Sequence, residues 1–187
     1  MAVPAEFSIL DISGKFNLNK SMSGDTDEML NLQGIGWMKR KVIAVASVTL
    51  AIKHYKDEAG VERFDIDQTL TGGIPGAKEE SVLNWAEKPS KSPLFGDIIG
   101  RARRCQVSEL EDDFLKSNWT ADTIEHGVIH VRVVSDTAKS GTSWTVNQVL
   151  GVQEINGQRR HARNVKFTGP KGENIELVLV YDWISSK

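Results

Sequence analysis

His161 and Arg163 lie two residues apart in an alternating run, so they share one face of a strand. Gln148 reaches the same face through the turn at Asn156-Gly157. That dipeptide between two alternating runs is a strong hairpin signal, and a two-residue turn fixes the register. It sets Ile155 opposite Gln158, Val152 opposite His161, Leu150 opposite Arg163, Gln148 opposite Val165 and Val146 opposite Phe167. Directly opposed residues point to the same side. One side then carries Trp144, Val146, Gln148, Leu150, Val152, His161, Arg163, Val165 and Phe167. The other carries Thr145, Asn147, Gln153, Arg160, Asn164, Lys166 and Thr168, and reads as solvated. An imidazole on the apolar side could transfer a proton. A guanidinium and a carboxamide beside it could hydrogen-bond an oxygen on which charge develops.

The same parity applies elsewhere. Pairing His54 with Glu62 puts Val48, Leu50, Ile52, Phe64, Ile66, Gln68 and Leu70 on one face. Thr49, Lys53, Arg63, Asp65 and Asp67 take the opposite face. Near the C-terminus Ile175, Leu177, Leu179, Tyr181 and Trp183 share a face. Gln68, Gln148, His161 and Arg163 are thus polar groups on apolar faces, and buried polar groups need partners. Either they satisfy one another in a packed core, or the register is one residue off, or they line a cavity and meet a ligand. A guanidinium is rarely buried without a charged partner. The only acid on its face is Glu154, near the rim. A closed barrel of eight to ten strands can hold a small ligand inside.

The elements that must position these groups are mostly strands. About nine or ten alternating runs recur with turns roughly every 8–12 residues, which predicts an all-β antiparallel barrel or sandwich. Helical signal sits early. Asp25-Thr26-Asp27-Glu28 reads as a helix start and Gly34 as its stop. Ile35, Met38, Val42 and Val45 recur at helical spacing. Two short helices are expected near residues 25–33 and 36–46, covering one end of a single barrel domain that spans 1–187. The segment 108–123 fits either a capped helix at Ser108 or a strand at Phe114-Leu115.

Composition excludes several classes. With 187 residues, 40% hydrophobic and 26% charged, the chain is globular, not disordered or fibrous. A net charge of −2 argues against a nucleic-acid binder. The arginine clusters 101, 103, 104 and 159, 160, 163 read as charge on outer strand faces. No apolar run approaches the ~18–20 residues of a membrane span, and no signal peptide is evident. A lone cysteine, Cys105, fits a reducing cytoplasm. His54, His126, His130 and His161 lack metal-ligand spacing, and Gly72-Gly73-Ile74-Pro75-Gly76 lacks the lysine of a phosphate loop. No metal or cofactor is expected, and the partners expected are hydrophobic small molecules.

The order of elements supports a comparison. A strand around Gly14-Lys15-Phe16-Asn17-Leu18, two helices containing Gly34 to Lys41, then strands ending in Leu179-Val180-Tyr181-Asp182 resemble the calycin group, in particular the fatty-acid-binding proteins. There two helices lid a ten-stranded up-and-down barrel, and a last-strand Arg-x-Tyr grips a carboxylate. Here Leu179-Val180-Tyr181 keeps the tyrosine and lacks the arginine. Asp67-Gln68-Thr69-Leu70-Thr71-Gly72-Gly73-Ile74 and Gln148-Val149-Leu150-Gly151-Val152-Gln153-Glu154-Ile155 are similar to small fungal lipocalin-like proteins of secondary metabolism. Some members are pericyclases that join a tropolone o-quinone methide to a hydroxylated humulene by a hetero-Diels–Alder reaction. The resemblance implies a cofactor-free cyclisation or, failing that, a carrier for a hydrophobic metabolite. His161 is then the candidate general acid, with Arg163 and Gln148 as oxygen-binding donors. Gln68 and Tyr181 are further polar contacts, and Trp144, Leu150, Phe64, Leu179 and Trp183 form the apolar wall.

Overall fold

The structure, a computed structural model, describes residues 1–71 and 76–186. The glycine-rich stretch Gly72-Gly73-Ile74-Pro75 read above lies outside the described residues. The first strand, β1 (Gly14–Leu18), leads into helices α1 (Asp27–Leu32) and α2 (Trp37–Val45). Strands β2 (Val48–Lys56), β3 (Glu62–Leu70), β4 (Lys78–Val82), β5 (Lys88–Ser92) and β6 (Gly96–Cys105) follow. Helices α3 (Asp113–Lys116) and α4 (Ala121–His126) precede β7 (Val128–Ser135), and α5 (Thr137–Ser140) precedes β8 (Thr145–Ile155). Strands β9 (Gln158–Thr168) and β10 (Asn174–Ser185) complete the order. The ten strands form one antiparallel sheet ordered β4-β3-β2-β1-β10-β9-β8-β7-β6-β5. It curls into the expected up-and-down barrel, with β1 tying the two ends of the chain together. Its edge strands are β4 and β5. Beside that gap, a bridge between Asn84 and Arg103 fastens the β4–β5 connection to β6.

The hairpin register matches the reading from Asn156-Gly157, including Val152 opposite His161 and Leu150 opposite Arg163. Both turn residues have positive φ, which the two-residue turn requires. In the earlier hairpin His54 opposes Phe64, not Glu62. The cause is a longer turn. The Asp57 carboxylate accepts from the amides of Ala59 and Val61, and the Gly60 amide donates to the Asp57 carbonyl. The displacement is two residues, so every side chain keeps its predicted face.

The two helices sit at the end where Leu18 and Val48 meet, as expected. Asp25 accepts the Asp27 amide at the start of α1, while Thr26 occupies the cap position. The opposite end is plugged by the N-terminal segment, whose Val3, Phe7, Ile9 and Ile12 join Phe16, Phe64 and Val152 in the main core. A polar clasp holds that plug. Arg104 donates to both Glu62 oxygens and to the Ile9 carbonyl, and His54 Nε2 lies 2.7 Å from Glu62 Oε1.

The face of β8 and β9 read as solvated is instead largely buried. The segment between β6 and β7, which includes the ambiguous 108–123, forms a 3-10 turn and two short helices. Leu110, Leu115 and Trp119 from it pack on Cys105, Val128 and Val149. Asn164 donates to the carbonyls of Phe114 and Ser117, at 3.0 Å each, and accepts from Gln153. A methyl group at Gly151 would sit 2.7–2.8 Å from Thr123 and Trp119, so glycine there permits the close approach. Gln153, Arg160 and Asn164 are all buried. Asn164→Ala should leave the Ser117 carbonyl and the Gln153 side-chain amide without their partner, while Phe114 keeps its bonds from Ser117, and destabilise the protein by about 2 kcal/mol. Denaturant unfolding checks this; an unchanged midpoint would show that the cover contributes nothing.

Candidate functional site

Between the helices and the plugged end lies a cavity of about 510 Å³. That is within the roughly 300–1,000 Å³ of small-molecule sites. Six of the ten residues singled out from the sequence line it: Gln68, Gln148, Arg163, Tyr181, Trp144 and Leu179. Met29, Leu30, Gln33 and Ile43 from the helical end complete the wall there. The other four, His161, Phe64, Leu150 and Trp183, are not on the lining and sit in or against the main core.

Arg163 is the electrostatic centre. It is 8% exposed, and among the described residues no carboxylate lies within ion-pair distance. Its Nε and Nη2 are buried with no hydrogen-bond partner. Its guanidinium carbon stands 5.1 Å from the centre of the Tyr181 ring, a cation–π contact that offsets part of the desolvation. Arg163 opposes Leu179 directly across β9 and β10. Burial raises the Tyr181 phenol above its ordinary value, against the pull of Arg163, so it stays protonated and can donate.

His161 does not reach the cavity. It is 0% exposed and packs against Phe16 and Tyr181, with ring centres 5.1 and 5.2 Å away. Its Nδ1 lies 3.3 Å from the Gly151 carbonyl, the one acceptor near it among the described residues, which leaves Nε2 as an unpartnered lone pair. Burial, and then the Arg163 charge, push its pKa down to about 3. The ring is thus held neutral and stands behind Tyr181, not on the lining where the sequence reading expected it. Parity gave its side correctly; depth is set by Phe16, from a distant strand.

Two lining groups escaped the sequence reading. Gln33 Oε1 and Trp144 Nε1 are buried without partners. Trp144 had been read only as apolar wall, yet its indole N–H is a free donor. Gln33 follows Met29 and Leu30 by four and three residues, so helical spacing could have placed it on the inner side of the lid. Four uncompensated polar atoms, counting the two of Arg163, therefore belong to residues of one largely apolar cavity.

Two curated relatives match the whole chain. A protein named probable pericyclase scpY, from Mollisia scopiformis, is 30% identical over 98% of this chain and 95% of its own length. The chain belongs to the pericyclase family. The pericyclase pydY from an Acremonium species is 28% identical over 100% of this chain and 99% of its own. No protein-family model matches the chain. Among solved structures, fatty-acid-binding protein 1 of Echinococcus granulosus superposes with a TM-score of 0.55 at 11% identity, over 92% of this chain and 97% of its own. That likeness carries the barrel fold and nothing further.

The neutral state of His161 has a thermodynamic consequence for this pericyclase. An unfolded histidine titrates near about 6.5, and the folded ring only near about 3. Stability from His161 is therefore complete above the unfolded value and is lost as pH falls below it, by up to about 1.4 kcal/mol per pH unit. Replacing it by leucine should flatten the fall in stability between pH 6.5 and pH 5. Identical slopes in denaturant titrations of parent and His161→Leu would contradict the assignment.

Proposed function

We propose that this pericyclase catalyses a hetero-Diels–Alder reaction between a tropolone o-quinone methide and a hydroxylated humulene-type sesquiterpene, in fungal meroterpenoid synthesis. The observation that carries the reading is Arg163, a permanent cation without an acid partner on the wall of an apolar cavity. A cycloaddition suits such a site. Its new C–O and C–C bonds come from the π-electrons of the two reactants, so no redox partner takes part. The site's task is to hold the pair in register, which can supply up to ~7–11 kcal/mol in favourable cases. Arg163 and Gln148 hydrogen-bond the quinone-methide oxygen and draw electron density from the diene. Tyr181 and Gln68 fix the second polar edge, and Trp144 with Leu179 packs on the terpene. His161 becomes a positioning residue that sets the Tyr181 ring; Phe64, Leu150 and Trp183 back the wall. Loss of water from a hydroxymethyl tropolone, which would generate the diene in place, is assigned to the same cavity. There the CH2–OH bond breaks as the Tyr181 hydroxyl gives its proton to the departing oxygen, which leaves as water; the ring hydroxyl loses its proton to restore Tyr181, and Arg163 hydrogen-bonds the oxygen that becomes the quinone-methide carbonyl.

The test supplies both reactants and follows adduct formation. The parent protein should accelerate it and fix one isomer ratio. Arg163→Met should lower the rate by about 10²-fold or more with the fold retained. If the protein binds the pair while the adduct forms at the rate and isomer ratio seen in buffer, it is a carrier.

A further inference from the structure

Near the β4–β5 edge of the sheet, Arg101 and Arg103 of β6 stand beside Arg132 and His130 of β7, and Arg101 also borders the cavity. Arg101 opposes Arg132 directly, and Arg103 opposes His130. Like charges directly opposed on a sheet destabilise it. The arrangement is nevertheless built with care. Trp85 adopts φ +63°, a left-handed conformation that a bulky residue rarely takes. Its amide donates to the Ala102 carbonyl at 2.7 Å, which pins the loop across β6. The indole then lies 4.8 Å from the His130 ring and 5.2 and 4.7 Å from the guanidinium carbons of Arg101 and Arg103. His130 Nε2 meets Asn147 Oδ1 at 3.3 Å. Burial, and then the charges of Arg103, Arg132 and Arg101, hold His130 below its ordinary pKa.

The acids nearby do not complete the cluster. Glu87 approaches Arg101 at 3.3 Å from a mostly exposed side chain. Glu109 lies 3.9 Å from Arg103, at the limit of an ion pair, and caps the Gln106 amide with its other oxygen. Arg132 has no acid partner among the described residues. Arg103 Nε and His130 Nδ1 are buried without hydrogen-bond partners. The side chains of Arg101 and Arg103 remain 28% and 30% exposed, so neither is sealed from solvent.

We propose that Arg101, Arg103 and Arg132, held by Trp85, form a second binding site that takes a phosphoryl group. A tetrahedral oxyanion with several acceptor oxygens can meet three guanidinium forks at once, whereas one carboxylate satisfies a single fork. The repulsion between Arg101 and Arg132 is relieved when the anion binds, so it is a feature of the empty site. Arg103, Arg132 and Trp85 are not on the cavity lining, and the probe is tested without the reactants, so the outcome does not depend on the reaction assigned to the cavity.

Thermal unfolding at low ionic strength, with inorganic pyrophosphate as probe, tests it. Saturating pyrophosphate should raise the parent's Tm by roughly 2–4 °C. Arg132→Gln should have a higher Tm than the parent without the probe, because the opposed charges are gone, and should not respond to pyrophosphate. Vesicles containing phosphatidic acid form a second arm. Binding to vesicles that pyrophosphate cannot displace assigns the phosphoryl group to a lipid; displacement assigns it to a soluble molecule. The proposal is overturned if the parent binds neither probe, if Arg132→Gln responds as the parent does, or if Arg132→Gln is the less stable protein without ligand.

Discussion

Arg163 carries a charge it cannot lose into the wall of a cavity lined in part by leucine, valine and aromatic rings, with the charged residues Lys78, Glu79 and Glu80 on the β4 side. An isolated guanidinium in such a place is unfavourable by several kcal/mol unless something replaces its water. The protein supplies only part of that replacement, through the Tyr181 ring. The neighbouring groups follow from this. His161 stays neutral because it is buried and because a second positive charge beside Arg163 would be repelled. Tyr181 stays protonated because it is sealed. The cavity is the space in which a ligand oxygen completes what the fold leaves open.

Holding a charge in that state requires a strand that cannot shift. Both faces of β9 are packed: on the inner one His161 meets Phe16 while Val165 and Phe167 join Trp144, Val146 and Leu177, and the outer one lies under α3, with Arg159 bound to Asp122 of α4. Asn164, one residue after Arg163, is bonded to two carbonyls of that outer cover. The Glu62 clasp with Arg104 and His54 closes the far end. Burial alone would raise the Glu62 carboxyl; its bonds and charge contacts with Arg104 and His54 outweigh burial and hold it below its ordinary value. The site is thus carried on rigid elements, as a geometry that must align two reactants requires.

How much of this was legible in the sequence differs from residue to residue. Asn156-Gly157 specified which side Arg163 and Gln148 take, because a two-residue turn admits one register. The helical spacing after Gly34 placed the lid. Depth was not legible. Parity cannot tell lining from core, so His161 and Leu150 read like Arg163, and only Phe16 and its neighbours separate them. The burial of Asn164 comes from a segment 47 to 50 residues away in sequence, and a polar face covered by polar bonds has the pattern of a wet one. The two-residue displacement at His54 came from the side-chain turn at Asp57, which loop length alone does not reveal.

The claim that an uncompensated guanidinium recognises a ligand oxygen is most directly measured in a binding cycle. A stable adduct and its isostere lacking the tropolone oxygen are titrated calorimetrically against the parent and against Arg163→Met. The parent should prefer the oxygenated compound by about tenfold or more, the scale of one hydrogen bond to a charged group, and the variant should lose that preference while binding the isostere at least as well. Equal preference in the two proteins would contradict the account.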